Sequence, residues 1–258
     1  PGVLAGVTYE WTLFQITDTI GFTLRADSAG ILFACLAALL WIPINFYSIG
    51  YMRCNNEHEQ TGYFAAFAIC MSSVMGIAMA SNLLTFFFFY ELLTIASYPL
   101  VLHKRNEEAL LASRKYLIYT LISGQLFLAG LVAVYCISGT MDFKAGGFLT
   151  TDMAPTWQLQ LIFLIMILAG SVKAAVMPLH GWLPAAMIAP TPVSALLHAV
   201  AVVKTGVFAV LRIIGFVFGP KLLADIGTAD ILAWFAAGSI IISSLIAIQQ
   251  DNLKRRLA

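Results

Sequence analysis

Lys173 is the residue in this sequence whose type and surroundings most clearly indicate chemistry. An uncharged, mostly aliphatic run, 157–172, leads up to it, and Pro178, His180 and Pro184 follow in the stretch GSVKAAVMPLHGWLP. A lysine at the centre of a membrane-spanning segment opposes insertion by about 2.5–3.5 kcal/mol. Such a residue therefore predicts an ion pathway, a proton relay or a structural ion pair.

Glu91 is the one acidic residue that falls well inside an apolar segment, FFFFYELLTIASYPLV. A Glu91–Lys173 contact that opens and closes would let the lysine hold and release a proton, because a nearby carboxylate favours the charged form and burial disfavours it. A static pair that fixes two helices is the alternative. We predict that the two side chains lie on adjacent helices, paired directly at about 4 Å or less or through one water.

His198 and Lys204 share the segment TPVSALLHAVAVVKTGVF. Histidine titrates near neutral pH without a large perturbation, and six residues on an ideal helix span about 9 Å. We predict that both side chains face the interior of the helix bundle on the same side as Lys173. The alternatives are a hydrogen-bonded packing histidine and a structural cation.

Pro178 predicts a break in the helix that carries Lys173. Its ring clashes with the carbonyl four residues earlier, at Ala174, and it has no N–H to donate. We therefore expect an interruption between Ala174 and Trp182, with His180 capping or lining the turn. Broken backbone at membrane depth is tolerated where it lines a water-filled cavity or is buried in protein.

Composition identifies the elements that hold these residues. The 258 residues are 60% hydrophobic and 10% charged, with a mean hydropathy of +0.89, whereas soluble domains are about 25% charged. The fold class is an all-α, polytopic membrane protein. Since a spanning helix needs about 20 apolar residues, we predict seven full helices and the start of another, with a turn near Asn82. The seven are 29–50, 62–82, 83–102, 110–138, 157–177, 191–214 and 229–249.

Two domains follow: an extramembrane, β-like segment at 1–28, and a transmembrane helical domain at 29–258, whose loop 139–156 lies outside the bilayer. The chain opens without Met or a signal peptide and stops as a new segment begins, so we expect a fragment of a longer protein. The net charge of +1 does not indicate a partner, and no basic patch suggests nucleic acid. The four cysteines lack CxxC spacing, and no metal, cofactor or catalytic motif is present.

The basic residues outside the predicted helices indicate the orientation. Eight fall on the side reached after the first helix (side B) and four on the opposite side (side A). Because cytoplasmic loops carry the excess of Lys and Arg, side B is predicted to be cytoplasmic and the N-terminal segment to face outside. Side B holds Arg53, Lys104, Arg105, Arg114, Lys115, Lys254, Arg255 and Arg256; side A holds Arg25, Lys144, Arg212 and Lys221.

Three stretches carry a resemblance to a known family: FYELLTIASYPLV, GSVKAAVMPLHGWLPAAMIAPTPVSALLHAVAVVKTGVF and DNLKRRLA. Together they resemble the antiporter-like subunits of complex I, membrane-bound hydrogenases and Mrp-type cation/proton antiporters. The Glu91 segment is most similar to the Mrp D subunit. The resemblance implies that Glu91, Lys173, His198, Lys204 and Lys254 carry protons. It also implies two inverted repeats of about five helices, of which this chain would hold the first and the opening of the second.

The function that the resemblance implies is proton translocation, with Na⁺ or K⁺ as candidate exchanged cations. The partners would be other membrane subunits and the lipid bilayer, in a bacterial or archaeal cell membrane. Any redox chemistry would belong to partner subunits. The alternative is a structural membrane scaffold whose buried charges are static ion pairs. A transporter of small solutes would need polar substrate-orienting groups that the sequence does not contain.

Overall fold

The computed structural model describes residue 3 and residues 9–17 and 20–257. In these residues the fold is helical apart from one two-stranded hairpin, and the predicted all-α membrane class is confirmed. The first five helices correspond to the first five predicted segments. They are α1 (Ser28–Cys54), α2 (Gln60–Ala78), α3 (Leu83–Val101), α4 (Glu107–Ser138) and α5 (Thr156–Lys173).

The chain after α5 is built from shorter pieces. A 3₁₀ turn at Leu179–Gly181 leads into α6 (Trp182–Ala186). One span, Thr191–Phe218, combines α7 (Thr191–Ala195), a π-helical turn at Leu196–Val200, α8 (Val202–Arg212) and a second π-helical turn at Ile213–Phe218. The remaining helices are α9 (Pro220–Asp225), α10 (Ala229–Ile248) and α11 (Leu253–Leu257). In the described part of the chain, seven helical spans are long and apolar enough to cross a membrane.

Helices α1, α3 and α4 begin at polar residues whose side chains cap the first turn. Asp27 accepts a hydrogen bond from the Gly30 N–H at 2.6 Å. Asn82 and Asn106 cap α3 and α4 in the same way, at 2.8 Å each. Such caps satisfy backbone donors that have no partner within the helix. The cap at Asn82 gives the α2–α3 turn the position that the sequence predicts.

The hairpin pairs β1 (Tyr9–Thr17) with an antiparallel β2 (Ile20–Ala26), which agrees with the β-like character of the segment. It docks on the α2–α3 turn, where the Thr23 N–H donates to the Thr85 hydroxyl at 3.1 Å and the Asn82 amide donates to the Gly21 carbonyl at 2.8 Å. Residues 1, 2, 4–8, 18 and 19 of the predicted N-terminal segment lie outside the described residues. That this segment is extramembrane stays a prediction.

The core lies between α2, α3, α4, α5 and α8, which pack against one another in sequence order. By contrast, α10 has no buried residue, and Trp234 is 78% exposed. An apolar helix with an uncovered surface is suited to contact with lipid or with other membrane helices.

Candidate functional site

Lys173 is the last residue of α5, and the chain is not α-helical again until Trp182. Ala175 adopts a left-handed backbone conformation with φ of 56°, and the Met177–Pro178 peptide bond is cis. The interruption predicted between Ala174 and Trp182 is therefore present, with Pro178 and His180 inside it. The Trp182 indole donates to the Val172 carbonyl at 2.7 Å and so satisfies one of the carbonyls freed at the end of α5.

The Lys173 side chain is completely buried. Its Nζ donates a hydrogen bond to the backbone carbonyl of Tyr90 at 2.5 Å and lies 3.3 Å from the centre of the Tyr90 ring. A cation over an aromatic face gains electrostatic stabilisation, which is larger when the site excludes water. The ammonium is thus held by α3, through a carbonyl and a ring that no sequence motif indicates.

Glu91 follows Tyr90 in α3, and its carboxylate lies against α4 at Gly124. The buried oxygen Oε1 has no hydrogen-bond partner. In the part of the chain that the structure describes, the ion pairs are His103–Glu57, Arg105–Glu59 and Arg212–Asp27, so Glu91 and Lys173 do not form the predicted direct pair. The physical reason is that the Tyr90 carbonyl takes the Lys173 hydrogen bond instead. Contact through one water stays a prediction.

A buried hydroxyl network connects three helices beside Lys173. The Ser123 hydroxyl donates to the Ala169 carbonyl at 2.7 Å, and the Tyr90 hydroxyl donates to the same carbonyl at 3.1 Å. The two hydroxyls are 3.0 Å apart. Because all three groups are buried, this network fixes the Tyr90 ring between α4 and α5.

A cavity of about 280 Å³ borders the broken segment on its α10 side. It is lined by the backbone turn at Ala174–Met177 and by polar side chains that include His180, Ser239, Ser243 and Gln250. The Met177 N–H donates to the Ser239 hydroxyl at 3.1 Å, and the buried Nδ1 of His180 has no hydrogen-bond partner. A cavity of this size has room for several waters, which the polar side chains in its largely apolar lining can bind.

His198 and Lys204 lie in the same span but not in one regular helix, because the π-helical turn that contains His198 ends at Val200 and Ala201 separates it from α8. The His198 Nε2 is buried without a hydrogen-bond partner. Lys204 is exposed, on the same face of α8 as the exposed Val207 and Leu211. The prediction that Lys204 faces the interior beside Lys173 is therefore wrong for this chain by itself, since the buried face of α8 is formed by Thr205, Phe208 and Ala209 instead.

Lys254 lies in the first turn of α11 and is half-buried. Its Nζ donates to the Ala189 carbonyl at 3.2 Å, so it contacts the segment that follows the helix break and not Lys173 itself. Burial, together with repulsion from Lys104, lowers the pKa of Lys254 from its usual value.

Arg212 is a buried cation that the sequence reasoning missed, because it was counted as a loop residue on side A. It lies at the end of α8 with 1% exposure and forms a two-armed ion pair with Asp27, the cap of α1. Its guanidinium is also 4.5–5.1 Å from the ring centres of Phe216, Phe208 and Phe143. Without Arg212, side A keeps three of its four loop cations, so the charge bias becomes eight to three.

These features define the class of protein: a multi-pass helical membrane protein with ionisable side chains buried beside a broken helix. Residues 80–258 match the family model described as NADH:quinone oxidoreductase/Mrp antiporter, transmembrane. The chain belongs to this family. Among the described residues, no group of three or more His, Cys, Asp or Glu side chains is arranged to hold a metal ion.

Curated relatives match along almost the whole chain. A putative antiporter subunit mnhA2 from Staphylococcus haemolyticus is 30% identical over 100% of this chain and 32% of its own length. The NAD(P)H-quinone oxidoreductase chain 5 of a Picosynechococcus strain is 30% identical over 97% of this chain and 38% of its own length. The chain thus spans about a third of these relatives. Their names are those of A and chain 5 subunits, not of the D subunit to which the Glu91 segment is most similar.

Solved structures share the fold. The Mrp complex from Dietzia sp. DQ12-45-1b matches 97% of this chain with a TM-score of 0.82 and 22% identity, over 27% of the matched chain. An archaeal membrane-bound sulfane sulfur reductase matches 95% of this chain with a TM-score of 0.80 and 24% identity, over 49% of the matched chain.

Proposed function

We propose that this chain translocates protons within a larger multisubunit membrane complex, either a cation/proton antiporter or a complex I-like respiratory complex. The relay consists of Glu91, Lys173, His198, Lys204 and Lys254. Its partners are other membrane subunits and lipid, and the exchanged cation is Na⁺ or K⁺. The complex lies in a bacterial or archaeal cell membrane with the N-terminal segment outside. Family membership and the names of the relatives support this assignment.

The arrangement around Lys173 is the observation that carries the proposal. The fully buried ammonium bonds to the Tyr90 carbonyl, while the neighbouring Glu91 carboxylate keeps a buried oxygen without a partner. Two acceptors for one lysine are therefore next to each other in α3. Movement of Nζ toward Glu91 favours a retained proton, because opposite charges stabilise each other, and return to the neutral carbonyl favours release.

The broken helix supports a route for protons to Lys173. The cavity beside Ala174–Met177 is lined by hydroxyl, amide and imidazole groups and by the guanidinium groups of Arg255 and Arg256, and these can bind water next to the end of α5. Waters that bridge polar groups make hydrogen bonds nearly as favourable as direct ones. The cavity begins at Ala174, the residue that follows Lys173.

The alternative is a scaffold in which Glu91 and Lys173 form a static pair. A static pair is expected to be in direct contact, since the partners of a buried ion pair are costly when separated. No such contact exists between these two described side chains, which favours the relay.

The two functions are distinguished by Lys173→Ala in the complete complex, reconstituted into liposomes and assayed for exchange driven by a pH gradient. The relay predicts normal assembly and a rate lowered by roughly a hundredfold, the usual contribution of a proton-transferring group. Lys221→Ala, which removes an exposed lysine, is the matched control. A Lys173→Ala complex that exchanges cations at the wild-type rate would establish the scaffold function.

A further inference from the structure

A second cavity, of about 620 Å³, opens on side B between the start of α4, the end of α6 and α11. We call it the basic cavity and define it by the charged residues of its lining: Lys104, Lys115, Lys254, Arg255 and Glu108. It shares Lys254 with the proposed relay, and Pro184 and Arg255 with the cavity beside the broken segment. Its volume lies in the range of small-molecule sites, roughly 300–1,000 Å³.

The charges around the basic cavity are unbalanced, with four cations against one carboxylate. None of these five side chains takes part in an ion pair in the described part of the chain. Lys254 uses one donor on the Ala189 carbonyl, which leaves two of the three ammonium donors for a ligand. Repulsion from Lys104 contributes to the lowered pKa of Lys254, and a bound anion would relieve that repulsion.

Four apolar residues also line the basic cavity. Leu111, Ala112, Met187 and Ile188 line it beside the basic groups. Lys104 and Lys115 are exposed at its mouth. A cavity that is lined by both cations and apolar side chains suits an anion that carries hydrocarbon.

We infer that the basic cavity binds a phosphate group, as the headgroup of an anionic phospholipid or as free phosphate. Lysine and arginine are the side chains that bind phosphate through charge-assisted hydrogen bonds. Basic pockets between transmembrane helices on the cytoplasmic side bind anionic lipid headgroups, and the same excess of Lys and Arg makes side B the predicted cytoplasmic side. A phosphate here would join α4 to α11 across the segment that follows the helix break.

The test measures acetylation rates of individual lysines by peptide mass spectrometry, in the complete complex embedded in nanodiscs. Three samples are compared: phosphatidylcholine alone, phosphatidylcholine with phosphatidylglycerol, and phosphatidylcholine with inorganic phosphate. Lys104 and Lys115 report on the basic cavity. Lys144 and Lys221, exposed on side A, report on any general effect of an anionic membrane.

Binding predicts that Lys104 and Lys115 react about fivefold more slowly with the ligand present, while Lys144 and Lys221 do not change. Arg255→Gln should raise the phosphatidylglycerol fraction that gives half-protection by about fivefold, the contribution of one basic residue near an anionic surface. Arg53→Gln, which removes an exposed side B cation outside the cavity, should leave that fraction unchanged.

Protection by phosphatidylglycerol alone supports a lipid headgroup, and protection by inorganic phosphate supports free phosphate. The inference is overturned if neither ligand protects Lys104 and Lys115, or if all four lysines are protected equally. It is also overturned if Arg255→Gln and Arg53→Gln give the same half-protecting fraction.

Discussion

Tyr90 and Glu91 offer Lys173 two acceptors of different charge within one turn of α3. The carbonyl of Tyr90 is fixed by the helix, and the Tyr90 ring is fixed by the hydrogen bond that its hydroxyl donates to the Ala169 carbonyl. The Glu91 carboxylate is the adjustable partner, since it ends a flexible side chain and has an unpartnered oxygen. Control of the Lys173 proton therefore depends on where this carboxylate lies.

A substitution at Gly124 tests whether the position of the Glu91 carboxylate controls the Lys173 proton. A Cβ added there would lie 2.3 Å from the Glu91 Oε1, a distance at which the carboxylate has to move. We expect Gly124→Ala to preserve assembly, because the obstructed group is the end of a side chain, and to lower the exchange rate several-fold in reconstituted complex. Gly62→Ala, where a Cβ meets nothing within 4 Å, is the control. If both variants exchange at the wild-type rate, the position of Glu91 does not limit transport.

Lys204 carries a prediction of its own, although it is exposed in this chain. An exposed lysine at membrane depth costs about 2.5–3.5 kcal/mol, so we expect a neighbouring membrane helix to cover this face of α8. Lys204→Arg keeps the charge but, with a pKa above about 12, cannot release a proton. The variant should assemble normally and lose most proton-coupled exchange in liposomes with a pH gradient. Equal rates for wild type and Lys204→Arg would make Lys204 a structural cation.

The helices around the break approach one another closely, and Gly206 is the point of contact between α8 and α5. A Cβ at Gly206 would lie 2.2 Å from the Ala174 backbone nitrogen. Backbone cannot move aside as a side chain can, so the spacing of the two helices must change. The span that carries Lys204 is thereby packed directly against the end of the helix that carries Lys173.

Gly206→Ala is expected to destabilise the subunit by about 1–3 kcal/mol, the usual cost of overpacking. The measurement is the thermal unfolding of the purified complex in detergent, followed with the exchange rate. Gly238→Ala, inside α10 with nothing within 4 Å of the added Cβ, should be neutral or slightly stabilising because alanine favours helices. Similar melting temperatures for Gly206→Ala and wild type would contradict this contact.

The Asp27–Arg212 pair joins the start of α1 to the end of α8. Asp27 has two roles, since it also caps α1 through Gly30. Asp27→Asn separates them, because asparagine still caps a helix but leaves Arg212 without a counter-ion. Removing one partner of a buried pair costs about 3–5 kcal/mol, so we expect less assembled complex in membranes. Adding Arg212→Met should restore part of the loss, and an unchanged amount of complex with Asp27→Asn alone would refute the structural role of the pair.

At the scale of the whole molecule, the sequence predicts the membrane-spanning helices, because the lipid bilayer requires them. Without water to satisfy the backbone, a spanning segment must be helical, and this is why α1 to α5 and α10 match their predicted apolar runs. Pro178 likewise predicts the break by a local steric rule. Arg212 and Asp27 are different, because they are 185 residues apart and no local pattern encodes their contact. The sequence also does not predict the Tyr90 carbonyl as the acceptor, because every residue has a backbone carbonyl and only the packing of the helices selects this one.

The sequence alone also does not show which exposed surfaces contact lipid and which contact other helices. Hydrophobic character is the same on a face that meets lipid and on one that meets another helix, as for α10, whose residues are all unburied. Apolar periodicity therefore does not distinguish the two environments. The exposure of Lys204 has the same origin: its charge predicted an interior position, whereas the packing of α8 in this chain depends on Thr205, Phe208 and Ala209.

The loop cations predict the orientation of the molecule in the membrane. With Arg212 buried, eight loop cations lie on side B and three on side A, so side B is expected to be cytoplasmic. Lys104→Cys and Lys144→Cys place one thiol on each side, at exposed positions, in a background without the four natural cysteines. A membrane-impermeant maleimide should label Lys144→Cys in right-side-out vesicles and Lys104→Cys in inverted ones, because each thiol is then on the outer surface. The reverse pattern would place the N-terminal segment in the cytoplasm and move the basic cavity to the outer leaflet.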